Sequence, residues 1–171
     1  MKKTVSLLFA GLILITALVS CGRRAMPLDE LESANALAMA LYTRAGLSMD
    51  AVFTEPLDNT IAFRFGMNIA DFDETVESAV AFRRTTGVNG QMLYALRMKT
   101  EDAAELWAEN LYNNYEWTAC DNAEKLTVAC AGQYLILFKS DAAEVDAVSE
   151  SFRALAGGRV LYSRELVNRG A

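Results

Sequence analysis

The sequence contains no histidine. Histidine is the side chain that most often acts as a general base, so its absence excludes the Ser-His and Cys-His pairs of many hydrolytic enzymes. Zinc sites that depend on imidazole ligands are excluded as well. The sequence also lacks the glycine-rich G-x-G-x-x-G and Walker motifs that bind nucleotide phosphates. We therefore expect no enzymatic activity and no nucleotide or metal cofactor.

Positive charge is in the minority, with 16 lysine and arginine residues against 22 acidic ones and a net charge of −6. Binding to nucleic acid requires clustered positive charge. The charge balance therefore argues against nucleic acid, and we expect none as a partner.

The first residues have the pattern of a secretory signal peptide. Lys2 and Lys3 precede an apolar stretch at residues 7–19, which is the usual length for the hydrophobic region of such a peptide. A membrane-spanning helix needs about 20 apolar residues, whereas this run is interrupted at Ser20 and Gly22 and by two arginines. We expect a cleaved signal peptide over residues 1–20.

The end of this stretch, LVSC at residues 18–21, resembles a bacterial lipobox. The resemblance implies cleavage before Cys21 and attachment of diacylglycerol to its thiol, which would be the only non-protein group on the chain. The protein would then be lipid-anchored on the extracytoplasmic face of the cell membrane, with membrane lipid as a partner. The alternative is ordinary secretory cleavage that leaves Cys21 as a thiol.

Cleavage at this position leaves 171 − 20 = 151 residues, which suits one domain with a sizeable core. The removed segment carries two lysines and no acids, so the remainder has 14 basic and 22 acidic residues and a net charge of −8. We expect a lipidated tether at residues 21–27, one domain at 28–156 and a C-terminal tail at 157–171.

Helical spacing of apolar residues predicts a helix over residues 28–45 that stops at Gly46. Asp58 is a candidate cap for a second helix that ends at Gly66. A strand over residues 60–65 is the alternative for this second segment.

The rest of the chain repeats one pattern of two strands and a helix. The predicted elements are strands 75–84 and 91–99 with helix 101–115, then strands 125–131 and 133–139 with helix 141–155. KTEDAAEL at 99–106 matches KSDAAEV at 139–145, and Thr100 and Ser140 are the predicted N-caps. These elements predict a two-layer α+β fold, in which a four-stranded antiparallel sheet from a tandem ββα repeat carries its helices on one face.

The first hairpin allows its register to be predicted. A two-residue turn at Asn89 and Gly90 would place Phe82 opposite Arg97. Keeping apolar residues on one face instead pairs Phe82 with Leu96 and Val80 with Met98. The fourth predicted strand is apolar on both faces, so we expect the N-terminal helices to cover part of its second face.

The mature chain resembles the small lipoproteins of uncharacterised function from anaerobic Gram-positive bacteria, which carry one α+β domain of unknown function. The resemblance rests on the lipobox, FGM at 65–67, the strand at 75–84, the joint at 99–106 and GQYLILFKSD at 132–141. The resemblance implies a location at the membrane and an α+β fold, and it implies no catalytic residues.

Three sets of residues are candidate sites. Asp71, Asp73 and Glu74 place three carboxylates within four residues, but they lack the spacing of a calcium loop, so a solvated loop is the favoured interpretation and a metal site a weak one. Cys120 and Cys130 are either a disulfide or two free thiols.

The third set is aromatic. It is either the edge of the core or a surface for a ligand or partner, and helical spacing favours the core. Its members are Tyr112, Tyr115 and Trp117.

We therefore predict a membrane-anchored, non-enzymatic binding or accessory module whose partner is an envelope protein. The alternative is a lipoprotein that binds a small ligand or cation for transport, which predicts a pocket lined by convergent polar groups. A cleft lined by Asp71, Asp73 or the Tyr115 cluster would favour this alternative.

Overall fold

The structure is a computed structural model that describes residues 27–85, 90–118 and 121–170. These ranges contain strands β1 (Val52–Pro56), β2 (Val76–Arg84), β3 (Met92–Met98), β4 (Lys125–Ala131), β5 (Tyr134–Ser140) and β6 (Tyr162–Val167). The α-helices are α1 (Ala34–Ala45), α2 (Ile69–Thr75), α3 (Glu101–Asn114) and α4 (Ala142–Leu155). Two 3-10 helices, Leu28–Glu30 and Asn59–Phe65, complete the elements of the described ranges.

The strands of the described ranges form one antiparallel sheet in the order β1-β2-β3-β5-β4-β6. The α+β class is confirmed, but the prediction of four strands is wrong. The two missed strands, β1 and β6, are the edges of the sheet, and most of their residues are exposed or half-buried. Edge strands need little apolar surface, so neither produces a strong alternating pattern. Strand β6 lies in the segment expected to be a tail.

Apolar residues cover both faces of the central strands. Leu93 and Phe138 belong to the core on one face, where α1 and α4 pack, whereas Leu96 and Leu135 belong to the core on the other, with α3 and the second 3-10 helix. The domain therefore has three layers, and the predicted two-layer arrangement is wrong. Helix α1 packs on β2, β3 and α4, whereas β5, the strand that is apolar on both sides, is covered by α3 and α4. Of the N-terminal segment, Leu31 accepts a hydrogen bond from Tyr134 of β5.

The two repeats of the sequence place their helices on opposite faces of the sheet. Thr100 is the N-cap of α3, as predicted, and its side chain accepts from Ala103 N. The predicted cap Ser140 is instead the last residue of β5, and Asp141 caps α4. Met98 and Ser140 are the last residues of β3 and β5, and Met98 is buried in the α3 core. The two similar strand-to-helix sequences therefore differ in their N-cap position and in the face of the sheet on which the helix packs.

The register of the first hairpin also differs from the prediction. Val80 pairs with Ala95 and Phe82 with Leu93, and the register shifts between Val76 and Ser78. The predicted pairs assumed that one face alone was apolar. Helices cover both faces of the sheet. Val80 and Phe82 are buried on one face, and Tyr94, Leu96 and Met98 are buried on the other. Asn89 lies outside the described residues.

The predicted helix over residues 28–45 is divided. A 3-10 turn at Leu28–Glu30 is followed by extended backbone, and α1 begins after Ser33, whose side chain accepts from Ala36 N at 3.1 Å. Ala34 N donates to Ser78 Oγ at 3.0 Å, which attaches the helix start to β2. Gly46, in the left-handed region with φ 70°, ends α1 as predicted.

The capped segment before β2 is helical rather than a strand. Asp58 accepts from Thr60 N, the 3-10 helix runs over Asn59–Phe65, and Gly66 ends it with φ 69°. The left-handed backbone favours glycine at this position, and a Cβ there would also lie 2.5 Å from Asn114 Nδ2, so the Asn114 side chain would have to move. Helix α2, which follows, was not predicted.

A polar network joins the first hairpin to α4 at the end of the sheet opposite the β4–β5 turn. Buried Gln91 donates to Glu144 Oε2 at 2.6 Å and accepts from the Tyr42 hydroxyl at 3.3 Å. Ser140 and Arg84 also donate to Glu144. Burial raises the pKa of Tyr42 to about 12, so its hydroxyl remains a donor. Every member has a partner, as a buried polar group requires.

Removal of β6 tests the edge position of this strand. Leu161 N donates to Cys130 O at 3.0 Å, and Tyr162 and Leu166 pack on the α3 core. Ending the chain after Gly158 should lower the free energy of unfolding by about 3 kcal/mol or more, because β4 loses hydrogen bonds and apolar cover. Urea denaturation followed by circular dichroism measures this loss.

The matched control ends the chain after Asn168, whose side chain donates to Asp121 O and Ala123 O. This shorter truncation keeps β6 and should shift the urea midpoint little. Equal midpoints for the two truncations would contradict the position of β6 in the sheet.

Candidate functional site

A cleft of about 890 Å³ opens at the end of the sheet where β4 turns into β5. It lies on the face that carries α1 and α4. Its apolar lining is Pro27, Leu28, Leu31, Ala131, Ala154, Leu155, Ala156 and Leu161. Its polar and glycine lining is Asp29, Arg44, Arg97, Glu101, Gly132, Gln133, Tyr134, Gly157 and Arg159. Apolar walls with a few polar groups are the usual composition of a binding cleft.

Tyr134 fixes the chain segment that forms one wall of the cleft. Its ring is buried, and its hydroxyl donates to Leu31 O at 2.5 Å. Burial raises the pKa of the Tyr134 hydroxyl, although Arg97 opposes this effect. The hydroxyl therefore stays protonated and holds the segment from Pro27 to Leu31 against β5.

Arg97 is held in a fixed position beside Tyr134. Its Nη1 donates to Glu32 O at 2.6 Å, and its Nε lies 3.2 Å from Glu77 Oε2. The guanidinium carbon is 5.9 Å from the centre of the Tyr134 ring, within the range of a cation–π contact. Three contacts thus restrain a half-buried cation in the lining of the cleft.

Two further arginines of the lining are exposed. Arg44 lies in the last turn of α1, and Arg159 follows the end of α4. Neither side chain makes an ion pair or a hydrogen bond with another of the described residues. The acidic residues of the lining are Asp29 and Glu101. Because Arg97 is already paired with Glu77, the lining offers two unpaired arginines, in a protein with a net charge of −6.

A glycine pair shapes the wall that carries Arg159. Gly157 and Gly158 have φ values of 60° and 82°, and Gly158 N donates to Arg153 O at 2.9 Å to end α4. A Cβ at either glycine would meet nothing within 4 Å. Backbone conformation rather than crowding therefore selects glycine here. The turn directs the chain from α4 past the cleft and into β6.

The predicted carboxylate cluster lies away from this cleft, and two of its carboxylates accept hydrogen bonds from asparagine side chains. Asn68 caps α2 by accepting from Asp71 N, and it donates to Asp71 Oδ2 at 2.6 Å. Asp73 accepts from Asn59 Nδ2 at 3.0 Å. Glu74 is exposed in the same helix. Among the described residues, no three acidic or cysteine side chains are arranged to hold a metal ion.

The predicted aromatic cluster forms two separate pairs. Tyr112 packs edge-on against Tyr162 of β6 with ring centres 6.3 Å apart, and Tyr115 packs edge-on against Trp117 at 5.2 Å. All four rings pack against the core beneath α3. Burial is the main cause that raises the pKa of Tyr115. The rings are half-buried, which favours the edge of the core over a continuous exposed surface.

Of the three cysteines, only Cys130 lies within the described ranges. Cys21 and Cys120, with the signal peptide and most of the tether, lie outside them. Cys130 is a free and fully buried thiol in β4. Burial is the main cause that raises its pKa to about 12. A thiol in this environment is unreactive at neutral pH.

The cleft was not predicted, because its residues carry no local motif. Arg44, Arg97 and Arg159 are separated by 53 and 62 residues in the sequence. Only the strand order and the ends of α1 and α4 bring them together. The basic residues after Gly157 were visible in the sequence, but the sequence did not show that Arg159 lies near Arg44 and Arg97.

No protein family, curated protein or solved structure matches this chain. The function is therefore argued from the geometry of the cleft and from the sequence pattern. Within the described ranges, none of the helices has the length and apolar character needed to cross a membrane.

The buried thiol of Cys130 gives a test by alkylation. At pH 8.5, iodoacetamide should leave Cys130 unmodified in the native protein and modify it in urea, because burial raises its pKa to about 12. Mass spectrometry of the peptide measures both states. Modification in urea only after a reductant is added would show that Cys130 is in a disulfide.

The raised pKa of Cys130 also makes the stability of the protein depend on pH. Folding favours the neutral thiol, so its contribution is present below the ordinary pKa of 9.0 and is lost as the pH rises towards about 12. Replacing Cys130 by alanine should therefore reduce the fall in stability over this pH range, as measured by urea unfolding at each pH.

Proposed function

We propose that this protein is a lipid-anchored, non-enzymatic binding or accessory module on the extracytoplasmic face of the cell membrane. The lipobox pattern at residues 18–21 supports the anchor, and the resemblance to small lipoproteins supports the same address. The observation that carries the binding role is the position of the cleft. Pro27, on its wall, is six positions after Cys21.

The length of the tether limits how far the cleft lies from the anchor. Six residues span at most about 21 Å when fully extended. The cleft is thus attached close to the membrane, and its opening faces partners or ligands at that surface. A module of this kind works by holding something at a fixed distance from the bilayer.

The composition of the cleft supports binding rather than catalysis. The described residues that line it include no serine, threonine, cysteine or lysine. Buried Tyr134 and half-buried Arg97 are engaged in structural contacts. The exposed charged groups left to a ligand are the guanidinium groups of Arg44 and Arg159 and the carboxylates of Asp29 and Glu101.

A small-ligand role in transport is the second candidate, and the size of the cleft favours it. A volume of about 890 Å³ lies within the range of small-molecule sites, about 300 to 1,000 Å³. Polar groups converge in it as this role requires, although Asp71, Asp73 and the Tyr115 cluster lie elsewhere. The two unpaired arginines, Arg44 and Arg159, are the groups that an anionic ligand would contact.

Replacement of Cys21 by alanine tests the anchor. The Cys21→Ala variant should lose metabolic labelling by a radioactive fatty acid and leave the membrane fraction, because the acyl chains provide the attachment. Immunoblots of membrane and medium measure the distribution. Cys130→Ala is the control, since this buried residue should affect neither labelling nor location. A Cys21→Ala variant that remains labelled and membrane-bound would overturn the proposed function.

A further inference from the structure

We propose that the cleft beside the tether binds the phosphate of an anionic membrane lipid, with Arg44 and Arg159 as the groups that contact it. This inference deepens the proposed function and rests on the anchor only for its access to the bilayer. It commits to a lipid as the occupant on three grounds, which are charge, apolar lining and position.

The charge of the cleft fits an anionic headgroup. The side chains of Arg44 and Arg159 are exposed and have no partner among the described residues, and guanidinium groups bind phosphate through paired hydrogen bonds. Arg97 of the same lining is already paired with Glu77 at 3.2 Å. Asp29 and Glu101 also lie in the lining, so the two unpaired guanidinium groups, rather than a net positive charge, are what a phosphate would contact.

Apolar side chains lie next to these charges. Leu161 lines the same cleft and is 46% exposed although it is a large apolar residue, whereas Leu31 and Leu155 of the lining are already buried. A free phosphate ion would leave the Leu161 side chain in contact with water. A phosphate that carries an acyl chain would cover it, and burial of apolar surface is favourable. The lining therefore favours an amphiphile over an inorganic anion.

The position of the cleft brings it to the source of such a ligand. Pro27 lies on its wall and is six residues from the predicted lipidation site. Basic residues close to an anionic bilayer are attracted to it. Occupation of the cleft by a headgroup would fix the orientation of the domain, so that the opposite end of the sheet, with the Gln91 and Glu144 network, faces away from the anchor.

Binding of a soluble lipid analogue to the purified full chain in neutral detergent tests this proposal. The probe is dihexanoylphosphatidylglycerol below its micelle concentration, titrated by calorimetry. Dihexanoylphosphatidylcholine tests the need for net negative charge. Inorganic phosphate and glycerol phosphate test whether the ligand is a soluble anion instead. The anionic lipid should bind at least tenfold more tightly than each of the other three.

The variant with both Arg44→Gln and Arg159→Gln should bind the anionic lipid at least tenfold more weakly. The matched control is Arg153→Gln, which removes an exposed arginine of α4 that does not line the cleft. Both variants should keep the urea midpoint, because none of the three side chains makes an ion pair among the described residues.

Three results would overturn the proposal. They are equal weakening by the control and the double variant, equal affinity for inorganic or glycerol phosphate, and no binding of the anionic lipid. The test is independent of the anchor, since it measures binding by purified protein. Failure here with normal release of Cys21→Ala would leave the proposed function in place and remove only the lipid ligand.

Discussion

The pairing of β3 with β5 is the constraint on which the rest of the structure depends. Leu93 lies opposite Phe138 on one face, and Leu96 lies opposite Leu135 on the other, with all four side chains buried. A central pair of strands that is apolar on both faces must be covered twice. The first repeat supplies α3 to one face, and the second supplies α4 to the other. Helix α1 then fills the space beside α4.

Polar groups are consequently displaced to the two ends of the sheet. At one end, Gln91, Tyr42 and Glu144 form a closed network that leaves no capacity for a ligand. At the other end, α4 stops at a glycine pair and the N-terminal segment is held by Tyr134, which leaves a cleft with exposed arginines. The same three-layer packing therefore produces one end that is closed and one that is open to binding.

Local signals predicted much of this fold. Strand β4, the cap at Thr100 and the stops at Gly46 and Gly66 follow from alternation, capping and backbone conformation, all of which act over a few residues. The number of layers, the register and the edge strands depend on which face each helix covers. The similar sequences before α3 and α4 predicted that both helices pack on the same face of the sheet. The residues after Met98 and Ser140 contain no signal that the two helices pack on opposite faces. The cleft arginines were inaccessible to sequence reasoning for the same reason, since topology alone brings them together.

The position of β6 has a consequence for the order in which the chain folds. This strand is the last element of the described chain, and it completes the sheet by pairing with β4, thirty or more residues earlier. Pairings between distant segments form late because chain closure must precede them. Until residues up to Val167 have been made, β4 has an open edge that can pair with other chains. The nascent protein is thus most exposed to aggregation just before synthesis of this strand, and a chaperone that shields β4 would act in that interval.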